Sequence, residues 1–292
     1  MGNEIVKFSN QFNNQALRKF TALDLDVLMT ICAKMRDQGT GQVEFSFDEL
    51  RKLARVKKNL TNKQVAKQVI EVNDRLLALR FRFVDGSKTI QFALFSYFET
   101  DEEAATLTVA VNERFEFLLN ELTSQFTRFE LAEFTDLKSS YAKEFYRRAK
   151  QFRKTGVWKI GIDDFRRLLD VPKSYRVSDL NRFVLKPILE ELKPLMHLKV
   201  ERRYAKKDGG RGRSSLSGFV FRFDRDGQTD KPVIEAEAVP VPSGLSDEER
   251  EQLAQLREAH GGSLFAGSKN YKPIPSDGTL VDVPLFEDGG EA

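Results

Sequence analysis

One cysteine, two histidines and one tryptophan occur in 292 residues, and these shortages exclude several kinds of protein. Cys32 has no second cysteine to bridge to, and its place on the apolar face of a helix suits a reducing cytoplasm. His197 and His260 stand far apart, one at the start of a strand and one near the C-terminus, so no His-pair metal site forms. No CxxC and no G-x-x-x-x-G-K-[ST] phosphate loop is present. No run approaches the ~18 apolar residues of a membrane span. The opening residues, MGNEIVKFSNQFNNQ, lack the apolar core of a signal peptide, and Glu4, Ile5 and Val6 make a weak acylation site. No metal, cofactor or membrane is expected, and the chain is expected in the cytoplasm.

Phenylalanine, by contrast, is plentiful. The 24 Phe, within a 40% hydrophobic content, are enough to fill two cores. The length suits two domains of ~100–120 residues. Charge is uneven: residues 226–292 hold 5 Lys+Arg against 14 Asp+Glu, while residues 1–225 hold 42 against 30. A body at net +12 with a tail at net −9 points to a polyanionic partner and a separate interaction segment.

A twelve-residue pattern occurs twice, as FSFDELRKLARV at 45–56 and IGIDDFRRLLDV at 160–171, at a constant offset of 115. Each copy runs apolar-x-apolar, two acids opening a helix, an apolar residue, two bases and a leucine. A polar turn, a second amphipathic helix and a strand pair follow each. Strand, helix, turn, helix, hairpin is the order of a winged helix. The expected class is α+β: tandem duplicated winged-helix domains with a disordered C-terminal tail. The domains fall at 1–133, 134–225 and 226–292.

In the first module, Leu23, Val27, Ile31 and Met35 recur at helical spacing before Gly39. A strand over 43–47, a helix over 48–55 and the turn VKKNLTNK lead to a helix capped by Thr61, with Val65, Val69, Val72, Leu76 and Leu79 on its core face. Phe81 and Phe83, a turn at Asp85-Gly86, and Ile90, Phe92 and Leu94 read as a hairpin. A strand over 106–111 and a helix over 112–122 complete the module. The second opens with a helix over about 135–154, Tyr141, Phe145, Ala149 and Phe152 inward and Lys138, Lys143, Arg147, Arg148, Lys150 and Arg153 exposed. Trp158 and Ile160 form a strand, and Pro172 ends the repeated helix. Ser178 is the expected cap of the next helix, with Leu180, Val184, Ile188 and Leu192 inward and a kink at Pro187. Leu198, Val200, Phe219, Phe221 and Phe223 make the second hairpin.

In a winged helix the second helix of the pair enters the major groove and the hairpin touches the backbone. The base-reading candidates are Asn181 and Arg182, flanked by Ser178, Lys186 and Arg176. Their first-module counterparts are Asn62, Lys63, Gln64 and Lys67, with Lys57 and Lys58 in the turn before them. Arg can bridge guanine O6 and N7, and Asn or Gln adenine N6 and N7. The second wing, RRYAKKDGGRGR, places Arg202, Arg203, Lys206, Lys207, Arg211 and Arg213 against a single acid, with glycines free to follow a phosphate track. Catalytic readings fare worse. Tyr141 and Tyr146 could attack a phosphodiester only with the His-rich metal motif that is missing, so they are packing residues. Asp48-Glu49 and Asp163-Asp164 open helices, where the dipole favours them. No enzyme is expected.

The stretches IVKFSNQFN, LMTICAKMRDQG, FSFDELRKLA, SSYAKEFYRRAKQFRKTGVWKIGIDDFRRLLDVP and NRFVLKPILEEL resemble the Rep_3-type plasmid replication initiators. The likeness covers about residues 4–223 and is closest to those of theta-replicating plasmids of Gram-positive bacteria. It implies two winged helices bound to directly repeated iterons at an origin, monomers that initiate and dimers that repress. It also implies host helicase or helicase-loader recruitment, and makes Pro187 an ordinary family feature. The competing expectation is a winged-helix transcription repressor without replication activity; a nicking initiator is argued against by the missing histidines. The tail lies outside the likeness. Its end, LVDVPLFEDGGEA, isolates Val283, Leu285 and Phe286 among acids and glycines. DVPLF resembles the Q-L-x-L-F peptide that docks on the replicative sliding clamp, with Asp282 in place of Gln and Val283 in place of Leu.

Overall fold

The computed structural model describes residues 4–17, 19–36, 41–85, 87–112, 119, 125–205, 215–225 and 279–281. Helix α1 (Ala22–Met35) starts at a capping box in which Thr21 and Asp24 satisfy each other's backbone N–H, and it is buried on nearly every face. Its two buried carboxylates, Asp24 and Asp26, are paired with Arg75 and Lys143. Strand β1 (Ile5–Ser9) pairs antiparallel with β7 (Phe126–Glu130), so the two ends of the first module meet. Between them lie β2 (Val43–Ser46), α2 (Phe47–Leu53), α3 (Asn62–Leu77), the hairpin β3 (Arg80–Asp85) and β4 (Lys88–Ala93), then β5 (Phe95–Asp101) and β6 (Thr106–Val111). One sheet has the order β2-β6-β5. Strand β5 was not foreseen, because its polar sequence SYFETD masks the alternation of a half-exposed strand. The helix expected over 112–122 falls almost wholly outside the described residues.

The second module comprises α4 (Leu131–Asp136), α5 (Ser140–Ala149), β8 (Val157–Gly161), α6 (Ile162–Leu168), α7 (Val177–Asp179), α8 (Lys186–Met196), β9 (Lys199–Tyr204) and β10 (Leu216–Arg222). Its sheet runs β8-β10-β9. Phe145, Trp158, Phe165, Phe219 and Phe221 form one aromatic core, with ring centroids 4.6 Å apart for Phe145–Phe221 and 4.8 Å for Phe165–Phe219. Gly218 lies so close to β8 that an added Cβ would meet the Ile160 carbonyl oxygen at 2.4 Å.

The duplication extends past the motif. Helix α2 plus 115 is α6, residue for residue. Arg55 (φ 54°) and its counterpart Asp170 (φ 50°) both turn left-handed after the helix. The Arg51 guanidinium donates to the Leu60 carbonyl at 3.1 Å, and that of Arg166 to the Tyr175 carbonyl at 2.9 Å, again 115 apart. The next helices start at Thr61 and Arg176, each with an N3 side chain accepting from the cap's N–H. The cap of the second is therefore Arg176 and not Ser178, which sits inside the first turn. Pro187 stands in the first turn of α8, directly after a π turn formed by Leu180–Leu185. A π turn accommodates one extra residue. The core positions show it: Val65 and Val69 match Leu180 and Val184 at offset 115, but Val72 and Leu76 match Ile188 and Leu192 at offset 116. Proline has no N–H for the helical ladder, and the widened turn lies just ahead of it.

The opening helix of the second module departs most from expectation. It breaks at Leu137, restarts with Ser139 as cap and ends in a 3₁₀ turn at Lys150–Phe152. Lys143, Arg147 and Arg148, expected on its exposed side, are 0%, 0% and 1% exposed. Helix α5 packs against both α1 and α8, and from Ala142 to Ala149 every residue is buried. Lys143 Nζ donates to Asp26 Oδ1 on α1 at 2.6 Å and to the Phe134 carbonyl at 2.8 Å. Glu144 accepts from Arg147 Nε at 2.8 Å and from Arg148 Nη1 at 2.6 Å. Both guanidinium groups also donate to the Gln15 carbonyl, at 2.7 and 2.9 Å. Burial alone would raise Glu144, but the two arginines outweigh it and hold the carboxyl below its usual range.

Breaking this junction is expected to be severe. Lys143→Ala leaves the Asp26 carboxylate buried and unpaired and should destabilise the protein by about 3–5 kcal/mol, while Asp26→Leu with Lys143→Met should recover most of that. Urea unfolding of the three proteins checks it. Burial, opposed by Lys143, pushes Asp26 from its ordinary 3.8 up to about 7. The folded value lies above the unfolded one, so the stability Asp26 contributes is complete below the unfolded value and is lost as pH rises through the folded one. Asp26→Asn should flatten that fall.

Candidate nucleic-acid interface

The face of the second module opposite its aromatic core is built by α7, the π turn and the start of α8. With Leu180, Val184 and Ile188 turned inward, Arg176, Ser178, Arg182 and Lys186 stand exposed on the other side and Asn181 is half-buried. The hairpin β9–β10 lies beside this helix. Arg202 on β9 donates to Asn181 Oδ1 at 3.0 Å, so helix and wing are joined by a side chain from each. Arg203 is exposed on the same strand. Lys206, Lys207, Arg211 and Arg213 lie outside the described residues.

The Arg182 guanidinium stacks over the Phe183 ring at 5.0 Å, and Phe183 meets Tyr175 at 5.6 Å between centroids. Val177, Phe183 and Tyr204 are 46%, 42% and 56% exposed, an apolar component of this face that the sequence reading missed. For Phe183 the signal was present, since it falls off the stripe made by Leu180, Val184 and Ile188; Val177 keeps the spacing of that stripe and gave none. An apolar residue off the core face has a partner other than the core.

In the first module, Lys57 and Lys58 are exposed in the turn before α3, and Asn62, Lys63, Gln64 and Lys67 are exposed along its first half. Two of these are engaged locally. Asn62 Oδ1 accepts from Arg51 Nη2 at 3.0 Å, and Gln64 Oε1 accepts from the Thr61 N–H at 2.9 Å. Further along α3, Ile70 and Leu77 are 48% and 41% exposed, so the cationic part of this face is confined to the helix start.

Catalytic groups do not gather here. Among the described residues no three His, Cys, Asp or Glu side chains could hold a metal. Burial pushes the Cys32 thiol up to about 12, which removes its thiolate at neutral pH. Tyr146 is fully buried and donates to Glu133 Oε2 at 2.5 Å, and burial raises the half-buried Tyr141. Both are packing residues in this fold.

Two helix-turn-helix units, each followed by a hairpin, define a tandem winged-helix protein. Comparison with known proteins agrees. The family described as Initiator Replication protein, WH1, matches residues 5–150, and that described as Initiator Rep protein, WH2, matches residues 161–223. The chain is 62% identical over 241 residues to the probable replication protein rep of Bifidobacterium longum (strain NCC 2705), which spans 82% of this chain and 78% of that protein. Its fold is similar to that of the Pi initiator protein, solved in complex with iteron DNA, with a TM-score of 0.59 and 16% identity over 77% of this chain and 98% of that one. The chain belongs to the initiator replication protein family and is a plasmid replication initiator. No helix among the described residues is long and apolar enough to cross a membrane.

Proposed function

We propose that this chain starts plasmid replication by binding directly repeated iterons at the origin. Its two second helices would occupy successive major grooves. The observation that carries the reading is the repeated helix-turn-helix with an outward cationic helix in each copy, in a fold similar to that of the Pi initiator protein, which was solved with iteron DNA. The sequence carries no G-x-x-x-x-G-K-[ST] phosphate loop. We therefore assign opening of adjacent AT-rich DNA to binding strain, and subsequent steps to a host helicase or its loader. The protein acts without catalysis, in the cytoplasm, and dimers repress its own promoter. We place the domain boundaries at 133/134 and 225/226, with α5 as the wall shared by both modules.

In this reading Asn181 and Arg182 contact base edges, with Ser178, Arg176 and Lys186 beside them, and Arg202, Arg203, Lys206, Lys207, Arg211 and Arg213 hold phosphates. Lys57, Lys58, Asn62, Lys63, Gln64 and Lys67 play the lesser part in the first module. Phe183 fixes the plane of the Arg182 guanidinium and offers its ring to a thymine methyl, the apolar feature of the major groove.

Two covalently joined units on one duplex face read grooves about 10–10.5 bp apart. A monomer should therefore protect roughly 20 bp of a non-palindromic repeat in a footprinting experiment. Protection of a short palindrome by dimers alone would assign the chain to repression instead.

Arg182→Ala should lower specific affinity by about 1–3 kcal/mol and relax the preference at one base step, whereas Arg211→Gln with Arg213→Gln should weaken specific and random DNA alike and flatten the salt slope by roughly 0.9 per lost contact. Equal losses on both DNAs for Arg182→Ala would remove it from base reading. Replacing thymine by deoxyuridine in the repeat should weaken the wild type more than Phe183→Ala.

For the tail we propose docking of Val283, Leu285 and Phe286 on the host sliding clamp. A peptide of residues 276–292 should bind purified clamp at roughly micromolar Kd, about 8 kcal/mol. Leu285→Ala with Phe286→Ala should abolish it, and binding unchanged by that pair would assign the tail another use.

A further inference from the structure

Strand register identifies the wing of the first module. In the sheet β8-β10-β9, Trp158 pairs with Phe221 and Phe221 with Val200, while Ile160 pairs with Phe219 and Phe219 with Arg202. In the sheet β2-β6-β5, Val43 pairs with Val109 and Val109 with Phe98, while Phe45 pairs with Leu107 and Leu107 with Thr100. Trp158 and Ile160 stand at offset 115 from Val43 and Phe45, the offset of the repeat. The counterpart of β9–β10 is therefore β5–β6, and the hairpin β3–β4 is an addition between α3 and that wing. Row by row, Glu99 matches Glu201, Thr100 matches Arg202 and Asp101 matches Arg203. The match extends to contacts. Thr100 accepts from Asn73 on α3 at 3.3 Å, and Arg202 donates to Asn181 on the second helix of its own pair at 3.0 Å.

In charge the two wings are opposites. Residues 95–111 hold Glu99, Asp101, Glu102 and Glu103 and no Lys or Arg, whereas residues 199–222 hold eight Lys and Arg against Glu201 and Asp208. All four acids of the first wing are exposed. Its tip is closed by one of them: Asp101 Oδ1 accepts from the Glu103 and Ala104 N–H groups, both at 2.8 Å, and Ala105 turns left-handed (φ 56°) into β6. A wing meets the backbone beside the groove that its helix enters. There Thr100 has no charge to offer, and Asp101 stands by register where the second wing has Arg203. Exposed charges act over a Debye length, about 8–10 Å at moderate salt, so carboxylates at the tip repel phosphates within that reach.

We propose that Asp101, Glu102 and Glu103 oppose the duplex, so that the first wing weakens the hold of its own module and the second wing alone grips phosphate. The inference rests on the reading of the chain as an origin binder whose wings lie along the backbone. It makes the modules unequal. The first is held by Lys57, Lys58, Lys63 and Lys67 at its helix start, against repulsion from its wing; the second is held by helix and wing together. A chain of two matched modules thereby has one strong end and one weak end on a non-palindromic repeat.

Three variants of the full chain test this by DNA binding over a range of salt. Asp101→Asn with Glu102→Gln and Glu103→Gln removes the charge and keeps an amide oxygen to accept the two turn N–H groups. Glu102→Lys and Glu4→Lys change the net charge equally, and Glu4 is an exposed acid outside both wings. The neutral tip should tighten binding to origin repeats and random duplex alike, about threefold to tenfold at low salt, the gain shrinking as salt rises. Glu102→Lys should tighten binding more than Glu4→Lys and steepen the salt slope by up to about 0.9, one added phosphate contact. Unchanged or weaker binding by both tip variants would overturn the proposal. So would equal tightening by Glu102→Lys and Glu4→Lys, which would reduce the effect to net charge. If the unaltered chain prefers random duplex or binds the repeats no better, the origin-binding reading falls, while the tip variants still decide the wing on random DNA. Failure to bind either DNA would bring down both.

Discussion

The arrangement depends on charges that have been taken out of water between the two modules. Lys143, Glu144, Arg147 and Arg148 all lie on one ten-residue helix, and all are buried. The desolvation penalty is several kcal/mol per ion, and it is recovered only when each partner stays in place. The partners come from elsewhere: Asp26 from the central helix of the first module, and the carbonyls of Phe12, Asn13 and Gln15 from the turn that follows the first strand. Separating the modules would take Asp26 from Lys143 and the backbone carbonyls from both guanidinium groups, while Glu144 would keep its two arginines. The junction also links the α1 core to α8, because α5 packs on both.

Within that frame, one inserted residue distinguishes the two copies. Up to the π turn the modules agree in helix length, left-handed corner, arginine-to-carbonyl bond and cap. After it the same core positions are filled one residue later. The insertion is absorbed in the width of the turn, so the buried stripe is kept while the outward residues change. Lys186 stands at offset 116 from Ile70, a cation where the first module exposes an aliphatic side chain. Arg182 stands at offset 115 from Lys67, a planar group able to bind two base atoms in place of a point charge. The second copy therefore exposes cations further along its helix, and the first has a cationic patch only where its helix begins.

Much of this was legible in the sequence because it is local. Period-two and helical spacing, cap residues and a twelve-residue repeat specify elements through neighbours a few positions away, and the strands and helices of both motifs fell where those signals put them. What was not legible depends on contacts distant in the chain. The cations of α5 have the spacing of a solvated face, and nothing nearby says that Asp26 and Gln15 will close over them. The π turn is invisible to periodicity, since Leu180, Val184 and Ile188 keep helical spacing through it. Phe183 was legible in principle, as an apolar residue off the stripe. The strand at Thr279–Val281, paired with β3, was not, because three residues in a Pro- and Gly-rich tail carry too little pattern to name a partner.

The burial at the junction also changes what net charge means for this chain. A count of +12 over the first 225 residues treats all cations alike. Lys143, Arg147 and Arg148 are spent on Asp26, Glu144 and backbone carbonyls, and Arg75 on Asp24 through two bonds of 2.7 and 2.9 Å. A buried ion pair has no counterions to release and adds nothing to the salt dependence of DNA binding, which counts only charges that meet phosphate. The field that remains is local: Arg176, Arg182, Lys186 and Arg202 lie exposed on the second helix and its hairpin, with Glu190 at the surface 3.7 Å from Lys186. Electrostatics in this fold therefore does two separate jobs with the same residue types. Inside, closed pairs join the modules; outside, the cations stay at the surface, within reach of a solvent anion.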